Sequence, residues 1–418
     1  MILLKYINKF AIILFWFLLV GFITLLIYVN NTNNLLILNN SKELKNTIKN
    51  NKSKILPSLT NDYNQRFLPS THFIELNFLK KKINFLEINN CFIGKCHTFF
   101  LEKKDDYLFL MEKSGNLYYS SLKDFFLDKN NFIKIQTNIK LDEITDFYIK
   151  DNDIYVSGYV KSNNDNYSLE VVNSSIQNIN DLNFKTIFSA EDERCIFEFP
   201  HAGKLKSYNH KGKDGILLTT RWMGKTNKPN SDNILDNNIC GKVLFIDKSS
   251  NDYEIFSRGH RNIIGLYVDN NIILATENGP WGGDEINKIE YDKNYGWPIA
   301  SYGSIYRRNQ NDKKIYYKKS HKKFNYKEPI ISFVPSIGIS EIIKLPNNFS
   351  NFWQNNYLVA SLNKKTLYRF KFDENFTKVL YFEEIFIGDR IRDIIYLEDE
   401  KIILLTLEMS GSIGMIKL

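Results

Sequence analysis

From about residue 86 to the end, the chain repeats one pattern: a few alternating apolar residues, a cluster of Asn, Asp, Ser or Gly, then another apolar run. Tyr107 to Tyr119 reads as a hairpin whose turn contains Ser114-Gly115-Asn116. Phe147 to Val156 reads as another, turning at Asp151-Asn152-Asp153. The same grammar recurs at 212–220, 266–276, 357–372 and 394–407. Period-two alternation bounded by turn residues predicts β-strands, and no stretch here shows a long helical period. Many short strands without intervening helices point to an all-β sandwich, barrel or propeller. The length is too great for one sandwich, while six four-stranded blades of about 55 residues each account for it. Blades of the WD40 kind carry a Trp-Asp pair, and no Trp here is followed by Asp. The prediction is a six-bladed β-propeller over 86–418, whose last segment, 411–418, helps close the ring.

The amino-terminal part reads differently. Phe10 to Val29 is a run of 20 residues without a charge, preceded by Lys5 and Lys9. Such a run spans about 30 Å of hydrocarbon, and the flanking lysines place residues 1–9 in the cytoplasm. The following Asn30-Asn31-Thr32-Asn33-Asn34 lacks the small-residue pattern of a cleavage site, which favours an uncleaved signal anchor over a signal peptide. Residues 30–85, rich in Asn, Lys and Leu, read as a linker. The propeller is then expected to face the periplasm or the cell exterior.

Composition adds little beyond this frame. With 43% hydrophobic and 14% aromatic residues, the chain can bury a core and is not a disordered type. The net charge of +8 is spread out. Its densest patch, Lys313 to Lys327, interleaves tyrosines with lysines, but it reads as a solvated loop rather than a nucleic-acid surface. Four cysteines, Cys91, Cys96, Cys195 and Cys240, permit three pairings. Cys91–Cys96 and Cys195–Cys240 are reasonable pairs, and buried thiols remain an alternative.

The chemistry concentrates in one segment. Ser257-Arg-Gly-His-Arg-Asn-Ile-Ile-Gly265 is followed by Glu277-Asn-Gly-Pro-Trp-Gly-Gly-Asp-Glu-Ile-Asn287 and Asn294-Tyr-Gly-Trp-Pro298. Tight Gly and Pro turns expose carbonyl oxygens, hard donors suited to Ca2+, and Asp284 and Glu285 add carboxylates. Arg261 offers a planar fork for a carboxylate, with Asn262 beside it. On residue types alone this is either an anion-plus-calcium site or a set of rigid turns between blades.

The order and spacing of these three blocks resemble the glucose/sorbosone dehydrogenase family, which includes soluble dehydrogenases dependent on pyrroloquinoline quinone (PQQ). Fainter similarity appears at Pro200-His201-Ala-Gly203-Lys-Leu205, Gly241 to Asp247 and Gly388-Asp-Arg-Ile-Arg-Asp393. The resemblance implies a six-bladed propeller holding PQQ and Ca2+ and oxidising an aldose or related polyol. It implies His201 as general base, Arg261 and Asn262 as cofactor ligands near the reactive quinone oxygen, and Arg390 and Arg392 as the pair that binds cofactor carboxylates. The carbonyls of Gly279 and Pro280 match ligands of the calcium that PQQ coordinates. Asp284, Glu285 and Tyr295 align near a second, structural calcium. Partners are then a sugar, the membrane through the anchor, and a membrane or periplasmic electron acceptor, with no nucleic acid.

Departures accompany the resemblance. Pro200 stands where the soluble glucose dehydrogenases have an Asp, and Asn363 stands where they have a cofactor-pairing Lys, with Lys364 adjacent. The family's G-L-L-G block is replaced by Asp142-Glu-Ile-Thr-Asp-Phe-Tyr148, and its G-D by Thr219-Thr-Arg-Trp-Met-Gly224. Two rival readings follow: a non-catalytic propeller that binds a sugar or protein partner, and a calcium-dependent hydrolase of the lactonase type.

Overall fold

A computed structural model describes residues 65–68, 76–91, 94–127, 132–161, 167–180, 182–190, 201–222, 238–305 and 317–418. The chain divides into two compact units, Met1–Arg66 and Phe67–Leu418. The run 10–29 assigned to a membrane anchor lies outside the described residues. Among the described residues no helix is long and apolar enough to cross a membrane.

The second unit is a ring of six antiparallel sheets, the all-β six-bladed propeller read from the strand spacing. In chain order, blade I covers residues 99–135, blade II 143–189, blade III 205–258, blade IV 263–333 and blade V 339–386. Blade VI joins Ile391–Leu397, Ile402–Leu407 and Ser412–Lys417 to Leu76–Lys82. Described helix in this unit is limited to single turns at Leu122–Phe126 and Lys322–Phe324.

The inner strands are buried on both faces because each sheet packs against two neighbours. Leu108 to Glu112, Ile216 to Thr219 and Ile403 to Leu407 are buried without interruption. Six hydrophobic clusters result, one at each junction between successive blades. At the junction of blades V and VI, for example, Trp353 and Leu358 meet Ile394 and Leu405.

Ring closure corrects one expectation. The segment 411–418 does form the closing strand, but its partner Leu76–Lys82 falls inside the predicted 30–85 linker. Phe78 pairs with Ile416, Lys80 with Gly414, and the Ile83 amide donates to the Gly411 carbonyl. The propeller therefore begins about ten residues before the predicted residue 86. Joining the two ends of the ring in one sheet covers the strand edges that would otherwise stay open.

The innermost strands carry charge around the axis. Lys204 Nζ lies 2.5 Å from both Asp146 of blade II and Glu341 of blade V. Asp146 also accepts the Leu205 amide of blade III, and Asp393 of blade VI accepts the Leu101 amide of blade I. Burial pushes the Asp393 carboxyl up to about 6, despite the pull of Lys204.

Candidate active site

The connections between blades and the loops joining second to third strands open on one face of the ring, and there they line a cavity of about 740 Å³. The three glycine-rich sequence blocks pack on one another, the first two lining the cavity and the third standing behind them. Lys293–Asn294 pairs in parallel with Ser257–Arg258. The Tyr295 amide donates to the Arg258 carbonyl, and Trp297 to that of Gly259. Gly259 has φ +78°, and a Cβ there would stand 2.2 Å from Asn294 Oδ1. Only glycine permits this approach. The Asn278 amide donates to the Asn262 carbonyl at 2.9 Å, tying the second block to the first.

His201, Arg261, Asn262, Gly279, Pro280, Asp284, Arg390 and Arg392 all line the cavity. His201 is open to it, while its backbone carbonyl accepts the Tyr159 hydroxyl at 2.5 Å. Its imidazole titrates well below the usual histidine range. Burial in the mouth of the ring is the main cause, and Arg221, Arg392, Lys113 and Arg261 add unfavourable positive charge. A neutral imidazole is a proton acceptor.

Arg390 and Arg392 share one carboxylate. Arg390 Nε donates to Glu408 Oε2 at 3.1 Å and Arg392 Nε to Oε1 at 2.7 Å. Thr98 Oγ1 donates to the same carboxylate at 3.0 Å. Burial pushes the Glu408 carboxyl up, but the two arginines and Thr98 outweigh it and hold it below its usual range. Arg261 donates through Nη1 to the Asn278 carbonyl at 2.8 Å, its guanidinium 5.5 Å from the Trp297 ring centre. Asn262 Nδ2 lies 3.4 Å from Asn278 Oδ1, and its own Oδ1 is buried without a hydrogen-bond partner. Arginines and a neutral imidazole fit a planar, carboxylate-bearing cofactor, and the orphaned Asn262 oxygen would accept from a donor on it.

The residues assigned to metal divide. Asp284 accepts from the Gly279, Ile337, Gly338 and Ile339 amides and from Ser336 Oγ, at 2.7–3.1 Å. Five donors exceed the roughly four lone-pair directions of a carboxylate, so Asp284 fastens the 279–283 turn to blade V and has none left for a metal. Tyr295 is also committed: its hydroxyl donates to the Lys288 carbonyl and accepts the Glu290 amide. Glu285 differs. Burial, and then the charge of Glu277, push its carboxyl well above the usual range. Asn287 bridges the two carboxylates at 3.4–3.5 Å with its Oδ1 buried and without a hydrogen-bond partner. A cation would relieve that arrangement, although among the described residues no group of three or more His, Cys, Asp or Glu forms a metal cage.

Around the sequence departures, Pro200 lies outside the described residues. Asn363 lines the cavity and accepts Arg390 Nη1 at 3.0 Å. Lys364 is exposed and is not part of the lining. The replacement for G-L-L-G supplies Ile144 and Thr145 to the wall. The Cys91–Cys96 pairing offered by the sequence is present, and it closes a hairpin of Asn89–Cys91 and Gly94–Cys96, which brings Asn90 and Cys91 to the cavity. Sequence reasoning passed over Lys113, Arg221, Trp281 and Glu408. Cys240 is also disulfide-bonded. The Cys91 to Cys96 spacing was the one available signal for the hairpin. The others are single residues without a pattern.

Residues 221–415 match the family model described as Glucose / Sorbosone dehydrogenase. A protein of Synechocystis, described as uncharacterized, is 31% identical over 162 residues, 38% of each chain. The aldose sugar dehydrogenase of Escherichia coli is 31% identical over 173 residues, 40% of this chain and 45% of that one. Quinoprotein glucose dehydrogenase B of Acinetobacter calcoaceticus is 48% identical over 50 residues, 12% of this chain and 10% of that one. The chain thus spans less than half the length of each of these relatives. Among solved structures, the apo soluble aldose sugar dehydrogenase of Escherichia coli superposes with a TM-score of 0.62 at 17% identity, covering 82% of this chain and 99% of that one. The PQQ-bound aldose sugar dehydrogenase of Streptomyces coelicolor gives 0.55 at 13%, covering 82% and 98%. At these identities the structures speak for the fold alone. Motif blocks, family match and fold agree: within this β-propeller, residues 221–415 are those of a glucose/sorbosone dehydrogenase domain.

Proposed function

We propose that the propeller oxidises an aldose or related polyol with PQQ as its cofactor. The observation that carries this reading is the convergence of a neutral histidine with Arg261, Arg390 and Arg392 in one cavity. When bound, the quinone supplies the acceptor for the hydride that leaves the sugar's anomeric carbon. His201 takes the proton of the anomeric hydroxyl at a ring nitrogen, which its depressed pKa keeps unprotonated. Arg390 and Arg392, oriented through Nε by Glu408, hold the cofactor's carboxylates. Arg261 places a donor where negative charge develops, with the Asn262 side chain beside it against the cofactor. Calcium belongs to the same proposal, on the carbonyls of Gly279 and Pro280 and, for a second ion, beside Glu285.

The compartment is a further part of the proposal. A tether at 10–29 would hold the propeller outside the cytoplasm, in the periplasm or at the cell exterior, close to a membrane or periplasmic electron acceptor. Disulfides at Cys91–Cys96 and at Cys240 support this, since such bonds persist in oxidising compartments. A reporter fused after Leu418 that works only in the cytoplasm would overturn it.

The test of function is reconstitution of the detergent-solubilised full chain with PQQ and Ca2+, followed by dye reduction across an aldose panel. The expected result is cofactor binding and turnover, with His201→Ala keeping the cofactor while losing ~10²–10⁴-fold in rate. Failure of the folded protein to bind PQQ would sink the reading. Binding without turnover would favour a non-catalytic propeller, a second reading supported by Asn363, which meets Arg390 where the related dehydrogenases have a lysine.

A further inference from the structure

Ser257, His260 and Glu277 form a chain of hydrogen bonds with the connectivity of a hydrolytic triad. Ser257 Oγ lies 2.8 Å from His260 Nε2, and His260 Nδ1 lies 3.1 Å from Glu277 Oε2. Ser257 and His260 are fully buried and Glu277 is 5% exposed. None of the three lines the cavity. No substrate reaches the serine, so nucleophilic catalysis is not what this chain is for. Its open end points elsewhere: the second carboxylate oxygen, Glu277 Oε1, accepts the backbone amide of Arg261.

We propose that Ser257–His260–Glu277 is a positioning relay that sets where the Arg261 guanidinium stands. The imidazole is held from every side. Both ring nitrogens are engaged, the Tyr295 ring stacks on it at 4.6 Å, and the His260 amide donates to the Gly241 carbonyl. Nδ1 donates to the Glu277 carboxylate, which can only accept, and that bond fixes the carboxylate in one orientation. That carboxylate in turn fixes the Arg261 backbone, while Asn278 and Trp297 direct its side chain. A buried hydrogen-bond chain of this kind is stiffer than its members taken singly. His260 thus acts through its sequence neighbour, and the His-Arg pair of the first motif block works as one device.

The relay's consequence for the cofactor rests on the assignment of Arg261 to cofactor binding, so the test separates the two. Hydrogen exchange of the segment 257–265 in the full chain, without cofactor, reads the Arg261 amide directly. His260→Ala is expected to speed exchange there by about tenfold or more, with other blades unchanged. His260→Asn, whose side-chain amide can still donate to Glu277, is expected to restore protection. Unchanged protection in His260→Ala overturns the relay whether or not the protein binds PQQ. A general loss of protection in all blades also overturns it, since His260 is then a core residue only. PQQ titration supplies the second readout. His260→Ala should weaken binding about tenfold, and the same change on an Arg261→Ala background should weaken it no further. Additive losses overturn the relay as the route by which His260 acts. Local protection that depends on His260 in a wild-type chain that binds no PQQ would keep the relay and discard only the cofactor assignment.

Discussion

The cavity wall has two arcs built by different means. Blades III to VI supply backbone turns: Arg261–Asn262, Asn278–Gly282, Ser336–Gly338 and the approach to Arg390. Blades I and II and the disulfide hairpin supply mainly side chains: Asn90, Thr98, Phe100, Lys113, Ile144 and Thr145. In the first arc the backbone is packed against itself. A Cβ on Gly279 would stand 2.1 Å from the Gly283 carbonyl oxygen, and one on Gly283 would stand 2.3 Å from the Gly303 nitrogen. In the second arc a side chain can be exchanged without moving the strand beneath it. The blocks that resemble the family lie in the first arc, and the G-L-L-G replacement lies in the second. A turn that works through its backbone tolerates little change, whereas a strand face can be rewritten to fit another substrate.

Substituting Gly279 by Ala attacks the first arc at its tightest point. The methyl group meets the Gly282–Gly283 backbone, with the Gly282 oxygen 2.6 Å away, so the turn must move. The expected cost is at least about 4 kcal/mol in urea unfolding, together with loss of PQQ binding. A variant within 1 kcal/mol of the wild type would show that the turns are not what restricts this arc.

Next in size is Glu408→Gln, which removes the charge shared by Arg390 and Arg392. Breaking a buried pair by neutralising one partner costs ~3–5 kcal/mol. The pH dependence has a definite sign. The folded carboxyl titrates below its usual value of 4.5, so its stabilisation is complete above that value and lost as pH falls through the lower folded value. Acid unfolding curves should show this loss in the wild type and lack it in the Gln variant. Equal acid sensitivity would contradict the shared-carboxylate arrangement.

On the second arc, Thr145→Val removes the 3.1 Å hydrogen bond to Ser157 and keeps the shape. It should cost about 1 kcal/mol, leave PQQ affinity unchanged and shift KM for the sugar. A change in PQQ affinity with unchanged KM would reverse the roles given to the two arcs.

The sequence showed the first arc more clearly than the second, for physical reasons. Hairpins such as Tyr107–Tyr119 announce themselves because the turn residues and the apolar alternation are local. The glycines of 259–296 were visible because close backbone approach demands that residue type wherever it occurs. Leu76–Lys82 was hidden because its partner lies at the other end of the chain and its own Lys80-Lys81-Lys82 reads as surface. Glu408 is a lone acid whose meaning depends on Arg390 and Arg392 being folded beside it. Asp284 misled for the converse reason: residue type says carboxylate, but only the fold reveals that backbone amides occupy it. His260 had no partner in sequence because Glu277 is 17 residues away and reaches it only from the adjoining blade.

The smallest expected effect is a shift in titration where the two arcs meet, at His201. Burial lowers its pKa first, followed by Arg221, Arg392, Lys113 and Arg261. Arg392 and Arg261 come from the first arc, and Lys113 comes from the second. Proton NMR of the cofactor-free protein should show one histidine titrating well below 6.5, assigned by its loss in His201→Ala. Neutralising a neighbouring cation removes repulsion against the imidazolium, so the pKa must rise. Lys113→Met tests the second arc, and Arg392→Met tests the first. Each should move His201 upward by a few tenths of a unit, as expected for a partly solvated charge, without restoring 6.5, because burial remains. Both cations are paired with a carboxylate at 2.7 Å, but Arg392 acts on His201 more strongly than Lys113, so the Arg392 shift should be the larger of the two. A His201 that titrates at or above 6.5 in the wild type would remove the neutral base on which the proposed proton transfer depends. A rise for Arg392→Met with none for Lys113→Met would assign the electrostatics of the base to the first arc alone.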